Sequence, residues 1–274
     1  MKYPCLREML PIAIVAAVEP GINPLGLSGE PELVFREASR MGYDGVELVI
    51  KDPSSFDINK VERLSEEFGL SVAAVGTVPT YMIYGLSLSS PEKRIREKAI
   101  ERIKEYLEIG HRLNSPIIIG SVKGRPEDRR RGIENLKSSL RVCAEYAEKI
   151  EARILIEPLN RYESTIVNTL REAVNLRNEL GFESIGVMAD TFHMNIEERS
   201  LYDSIVEADG YLGHMHIADS NRLAPGEGHL DFNQVMAALD KIGYHSFLSA
   251  EILPLPNPRE AAEKTIRYIK MILS

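Results

Sequence analysis

Cysteine is scarce, with only Cys5 and Cys143 in 274 residues. Two thiols cannot build a disulfide framework or a four-thiolate zinc site, and both read as small apolar residues in a reducing compartment. Long apolar runs are also missing. The longest, Pro11–Val18, falls well short of the ~18 residues a membrane span requires. Glu19 and Pro20 follow that run directly with no cleavage-like segment, so it does not read as a signal peptide. The expectation is a soluble cytoplasmic protein with no membrane partner. Neither GxGxxG nor GxxxxGK[ST] occurs, which weighs against a nucleotide-binding open sheet. Positive charge is in deficit, 33 Lys and Arg against 41 Asp and Glu for a net −8, so nucleic acid is not an expected partner. No linker or low-complexity stretch divides the chain, and residues 1–274 read as one domain.

What is present is an eightfold alternation. Strand-like runs fall at Ile12–Ala17, Gly45–Val49, Val72–Val75, Ile117–Gly120, Ile154–Glu157, Gly186–Ala189, Leu212–Ile217 and Phe247–Glu251. Helical patterns lie near Glu30–Met41, Asn59–Phe68, Pro91–Leu113, Arg129–Ile150, Thr169–Leu180, Glu197–Ala208, Phe232–Ile242 and Arg259–Leu273. Gly42, Gly69, Gly181 and Gly243 stand where helices should stop, and Ser90-Pro91-Glu92 reads as a helix start. Strands alternating with helices imply parallel pairing through crossover helices. Eight such units in a chain near the ~250 residues usual for the fold predict a single (β/α)8 TIM barrel.

In such a barrel the chemistry sits at the carboxyl ends of the strands. The last four strands close in turn with Glu157, Asp190, His216 and Glu251, each after an apolar run. One such residue is easily a cap. Four on neighbouring strands point to a metal, because three unpartnered carboxylates held close together repel one another and resist ionisation. Three carboxylates and one imidazole suit a hard to borderline cation such as Mn²⁺ or Mg²⁺.

The strings IEPLNRYES (156–164), ADTFHMNIEE (189–198) and HIADSNRLAPGEGHLDF (216–232), with the strand ending in Ala-Glu251, resemble the xylose-isomerase-like barrel superfamily. They are most similar to its ketose 3-epimerases of the D-tagatose 3-epimerase group. The resemblance is close over the last four strands and rests on the pattern of units in the first half. It implies one divalent metal, Mn²⁺ with Mg²⁺ or Co²⁺ as alternatives, bound by Glu157, Asp190, His216 and Glu251. It also implies that Glu157 and Glu251 are an acid/base pair on opposite faces of a sugar, and that Glu163, His193 and Arg222 hold its oxygens. Homodimers are a further implication. The residue types suit that chemistry: a metal chelated by a carbonyl and the neighbouring hydroxyl stabilises a cis-enediolate, one carboxylate removes the C3 proton, and the other returns one to the opposite face. Reprotonation at C2 would instead give an aldose.

Arg222 alternatively pairs with Asp219 or Glu227. Lys123 and Arg125, after the fourth strand, are candidates to reach a carboxylate or phosphate on the substrate. His214, two residues before His216, is expected one layer deeper inside the barrel, behind the site. Glu47 reads as structural, and Tyr81 as a pocket wall. Hydroxypyruvate isomerase and inosose dehydratase share the single-metal pattern and remain alternatives. An apurinic endonuclease would need histidines after the third and fourth strands, where this chain has Val75-Gly-Thr-Val-Pro79 and Ile119-Gly-Ser-Val-Lys123.

Overall fold

In the computed structural model, which describes residues 10–22 and 25–274, the strands are β1 (Ile12–Ala17), β2 (Leu27–Ser28), β3 (Gly45–Val49), β4 (Ser71–Gly76), β5 (Ile117–Ile119), β6 (Ile154–Ile156), β7 (Ile185–Asp190), β8 (Leu212–Ile217) and β9 (Leu248–Ala250). All pair in parallel, in the order β2-β1-β3-β4-β5-β6-β7-β8-β9, and β1 also pairs with β9 through Ile12, Ala13 and Ile14. That last pairing closes an eight-stranded barrel. The two-residue β2 only extends β1 at its carboxyl end, pairing Leu27 with Ala16. Runs rich in Ile, Val and Ala make the strands because both faces are buried.

The helices are α1 (Pro31–Met41), α2 (Ile58–Phe68), α3 (Val78–Met82), α4 (Lys93–Arg112), α5 (Arg129–Lys149), α6 (Leu170–Leu180), α7 (Thr191–Glu197), α8 (Leu201–Glu207), α9 (Phe232–Lys241) and α10 (Pro258–Leu273). Gly42, Gly69 and Gly181 end α1, α2 and α6 in the left-handed region, at φ of 85°, 64° and 75°. Side chains start the helices: Asp128, Thr169, Asp231 and Asn257 each accept a backbone N–H from the first turn.

Three expectations change. Ser90 does not cap α4; its hydroxyl accepts the N–H of Glu92 in a preceding turn, and the helix begins at Lys93. The helix expected over 197–208 begins at Leu201 behind a Ser200 cap, because Asp190 has already started the short α7 at the strand end. The loop after β5 contains a 3₁₀ turn at Ser121–Lys123 that changes where Lys123 points. Cys143 fits the apolar reading: it is fully buried on α5, and burial pushes its thiol up to about 12. Cys5 lies outside the described residues. No helix among the described residues is long and apolar enough to cross a membrane.

Alternate residues of each strand face opposite ways. The outward set, including Ile14, Val46, Leu48, Ile119, Ile156 and Met215, packs with the helices into the main core. A smaller cluster of Ala74, Ile118, Leu155 and Met188, from β4 to β7, fills one side of the barrel interior. The registers set Glu47 beside Ala74 and His214 beside Met188, so the other side of the same layer is polar. Leu155 is the main plug, since a Cβ added at Gly186 or Gly213 would lie 2.9 or 2.8 Å from it. Leu155→Ala should therefore lower unfolding free energy by about 2–5 kcal/mol, seen as a lower urea midpoint with the slope preserved.

Candidate active site

Four strand ends converge. Glu157 follows β6, its N–H held by the carbonyl of Ile119 at 3.2 Å. Asp190 is the last residue of β7 and also caps α7: its Oδ1 accepts the N–H of Phe192 at 2.7 Å, which leaves Oδ2 free. His216 on β8 is in register with Asp190 on one side and Ser249 on the other. Glu251 follows β9. Glu157 Oε1, Asp190 Oδ2 and Glu251 Oε2 each lie 3.7 Å from His216 Nδ1. The first two carboxylates and the imidazole are buried; Glu251 keeps 13% of its side chain exposed.

These atoms fit a cation. His216 Nδ1 and Asp190 Oδ2 are buried without a hydrogen-bond partner, the state of ligand atoms aimed at an ion. Metal–ligand bonds of about 2.0–2.2 Å put neighbouring donor atoms about 3–3.5 Å apart, so the 3.7 Å from His216 to each carboxylate requires only a slight contraction. Asp190, His216 and Glu251 lie close enough together to share an ion, and Glu157 is grouped in the same way with Asp190 and His193. Three carboxylates and a nitrogen could hold a divalent ion with positions to spare for a ligand. His193 Nε2 lies 3.7 Å from the same Asp190 oxygen, at the edge of the cluster.

Behind His216 stands Glu47 on β3. His216 Nε2 donates to its carboxylate at 2.9 Å, and His214 Nε2 donates to the same group at 2.8 Å. Glu47 thereby fixes one proton of His216 on Nε2 and turns Nδ1 toward the carboxylates, where it could ligate an ion once its own proton is released. Glu47, His214 and His216 also lie close enough to form a ligand cluster of their own; their hydrogen-bond distances satisfy them without an ion. His214 takes the deeper position expected of it. The structural reading of Glu47 was too narrow, and the signal for more was a lone acid at an inward position of an apolar strand.

The outer contacts meet over the same centre. Arg222 donates to Glu251 Oε2 at 2.6 Å and to Glu163 Oε1 at 3.3 Å, with its guanidinium 4.6 Å from the Phe192 ring. Its backbone is left-handed, at φ 62°. The alternative partners are occupied elsewhere. Asp219 accepts the backbone N–H groups of Ser220, Gly226 and Leu230 and so pins the loop that carries Arg222, while Glu227 pairs with Lys264. His193 Nδ1 accepts from the side chain of Asn160 at 2.7 Å and from its N–H at 3.3 Å, leaving Nε2–H directed at the cluster. Asn160, which also donates to Glu163 at 3.1 Å, was not singled out from the sequence.

Lys123 and Arg125 part company with their expectation. Lys123 is fully buried, its ammonium donating to the main-chain carbonyls of Gly120 (3.0 Å) and Glu157, so it does not face a bound anion. The 3₁₀ turn folds it back under the strand ends. Arg125 is exposed and donates to the carbonyl of Tyr162 at 2.8 Å, outside the cluster. Tyr81, on α3, is half-buried.

Charge in the cluster is uneven. Burial, reinforced by Glu251 and Asp190, pushes Glu157 up to about 8 against the pull of His216 and Lys123. At Asp190 burial acts the same way but is outweighed by His193, His216 and Arg222, which hold it below the carboxylate range. His216 is raised well above an ordinary histidine: burial opposes its charge, and Glu47, Glu251 and Asp190 overcome it. Burial lowers His193 and keeps it neutral at pH 7.

A family profile described as xylose isomerase-like TIM barrel matches residues 35–272. The D-psicose 3-epimerase of Ruminiclostridium cellulolyticum is 30% identical over 227 residues, 79% of this chain and 76% of that protein. The 3-dehydro-D-guloside 4-epimerase of Escherichia coli K12 is 30% identical over 251 residues, 86% of this chain and 92% of that protein. Among solved structures, D-psicose 3-epimerase from Clostridium cellulolyticum H10 superposes with a TM-score of 0.82 at 23% identity, over 96% of this chain and 99% of that one, a likeness of fold. On these matches the chain belongs to the xylose isomerase-like TIM-barrel family, among its ketose and keto-sugar epimerases.

Proposed function

We propose that this protein is a divalent-metal-dependent epimerase that inverts the carbon next to the ketone of a sugar, with C3 of a ketose as the first expectation. The observation that carries the reading is the convergence of Glu157, Asp190 and Glu251 on the unpartnered Nδ1 of His216. The two relatives support the reaction class, since a psicose 3-epimerase and a 3-dehydroguloside 4-epimerase both act beside a keto carbon. A divalent ion held by these four residues, with Mn²⁺ the favoured candidate, would act as a Lewis acid that makes the proton beside the ketone removable.

The side chains then divide the work. Glu157 and Glu251 reach the centre from strands separated by β7 and β8, which suits a pair that removes and returns a proton on opposite faces of a planar intermediate. Arg222, bound to both Glu251 and Glu163, orients one of that pair and offers donors to substrate oxygens. His193, kept neutral by burial, presents Nε2–H to a hydroxyl or carbonyl. A neutral sugar fits better than a sugar acid or phosphate, because Lys123 is turned to main-chain carbonyls and the charge of Arg222 is already matched by Glu163 and Glu251.

Activity should vanish on dialysis against a chelator and return with Mn²⁺, and His216→Ala should weaken Mn²⁺ binding by about 10-fold or more, read by calorimetry. Turnover unchanged after chelation would defeat the metal reading.

Glu157→Gln and Glu251→Gln should each retain an oxygen ligand yet slow epimerisation by about 10²–10⁴-fold. In D₂O each variant should still exchange the C3 proton of one epimer, a different one for each, and no aldose should appear by NMR. Near-normal epimerisation in both would require another base, with His193 the first to try.

Arg125→Glu should change KM for ketoses and for keto-aldonic acids by the same small factor. A selective rise in KM for the acids, shrinking as salt is added, would restore Arg125 as an anion reader.

A further inference from the structure

The turn after β5 touches Glu157 at both its main chain and its carboxylate. Gly120 begins the 3₁₀ turn, and the Lys123 side chain folds back so that Nζ donates to the Gly120 carbonyl at 3.0 Å and to the carbonyl of Glu157 itself. With its N–H on Ile119, Glu157 is therefore held by β5 and the following turn at both of its peptide groups. Its side chain meets the same turn: a Cβ added at Gly120 would sit 2.1 Å from Glu157 Oε2 and 3.3 Å from its carboxyl carbon. The missing side chain at Gly120 is the space the carboxylate occupies.

The turn is itself anchored from outside. Ser87 Oγ donates to the Lys123 carbonyl at 3.2 Å, the N–H of Leu88 to the Val122 carbonyl at 2.9 Å, and Ser164 Oγ to the Gly124 carbonyl at 3.0 Å. A fully buried ammonium is costly unless its protons are used, and no carboxylate lies within salt-bridge distance of this one among the described residues. Its bonded protons go to main chain. A lysine retained only to fill space would be replaced without loss by an apolar side chain of similar length.

We propose that Gly120–Lys123 is a mould for Glu157, in which Lys123 is a positioning residue that clamps the Glu157 main chain while Gly120 admits its carboxylate. The proposal rests on the reading of Glu157 as metal ligand and base. It reassigns Lys123 from the substrate to the residue that acts on the substrate.

Two handles on one carboxylate make the mould testable with Mn²⁺ alone, titrated calorimetrically into the full metal-free chain. Lys123→Met removes the clamp, Lys123→Gln keeps N–H donors without the charge, and Gly120→Ala intrudes on the carboxylate and leaves Lys123 in place. Outer contacts of this kind typically change metal affinity or activity by about 10–100-fold. Lys123→Met and Gly120→Ala should each weaken Mn²⁺ binding within that range, and Lys123→Gln should recover much of the loss. The sign separates positioning from simple electrostatics, since removing a positive charge beside a cation site would by itself tighten Mn²⁺. Tighter or unchanged binding in Lys123→Met, or unchanged binding in Gly120→Ala, overturns the mould. A drop in thermal midpoint with an unaltered Mn²⁺ affinity of the folded protein assigns Lys123 to stability alone and also overturns it. If Lys123→Met does not fold, Gly120→Ala decides. Wild-type protein that binds no Mn²⁺ would instead overturn the metal reading, and this proposal with it.

Discussion

Three carboxyl groups around one buried imidazole nitrogen, two of them buried and the third only partly exposed, form an arrangement that a folded protein keeps only when positive charge shares the space. Coulomb repulsion grows as the local dielectric falls, and water is not there to relieve it. The surroundings of the cluster are organised by that constraint. Arg222 lies on the open side against Glu251, Lys123 lies below behind Glu157, and His216 is held in place by Glu47. Even so the balance is incomplete, and Glu157 is pushed up to about 8, chiefly by burial. The divalent ion of the proposed function would supply the remaining charge. The site thus reads as one half of an electrostatic pair, and the four strand ends are the side the polypeptide contributes.

The period of two along each strand keeps this demand apart from folding stability. Outward residues belong to the continuous apolar core under the helices. Inward, Glu47 stands between two imidazoles and accepts from both. On the other side of the same layer, Ala74, Ile118, Leu155 and Met188 make an apolar plug. The barrel is therefore floored by packing under one half of the cluster and by a hydrogen-bonded network under the other. Both supports are buried, which suits the proposed proton transfer, since two carboxylates must then stay at fixed positions.

The strands were legible because buried parallel strands are written as short apolar runs, and Ile12–Ala17, Gly45–Val49 and Leu212–Ile217 fall where the pattern puts them. The glycines that end α1, α2 and α6 were legible for a local reason, the left-handed cap. Glu157, Asp190, His216 and Glu251 could be singled out because each interrupts an apolar run at the end the fold reserves for chemistry. What the sequence hid was long-range or a matter of loop conformation. Glu47 meets His216 across 169 positions, and nothing in Val-Glu-Leu-Val names its partner. Lys123 was misplaced because a Gly-Ser-Val-Lys-Gly string reads as an exposed rim, whereas the 3₁₀ turn carries the lysine inward. Asp219 was weighed as a partner for Arg222, yet it serves the backbone of the loop that presents Arg222.

This division also explains why reaction class is easier to infer than substrate. In the proposed function the inner residues would recognise a ketone beside a carbon bearing hydrogen and hydroxyl, and nothing in their arrangement counts position along a sugar. Charge cannot do the counting, because the cations nearest the cluster are spent on carboxylates and carbonyls. Discrimination would then fall to shape at the mouth, where the segments after β4, β6 and β9 expose Met82, Tyr162 and Leu255 at 70%, 70% and 52%. Loops tolerate change that strand ends do not. On the proposed function, a change in the inverted centre or in the length of sugar accepted would come from those loops, with the cluster and its supports kept as they are.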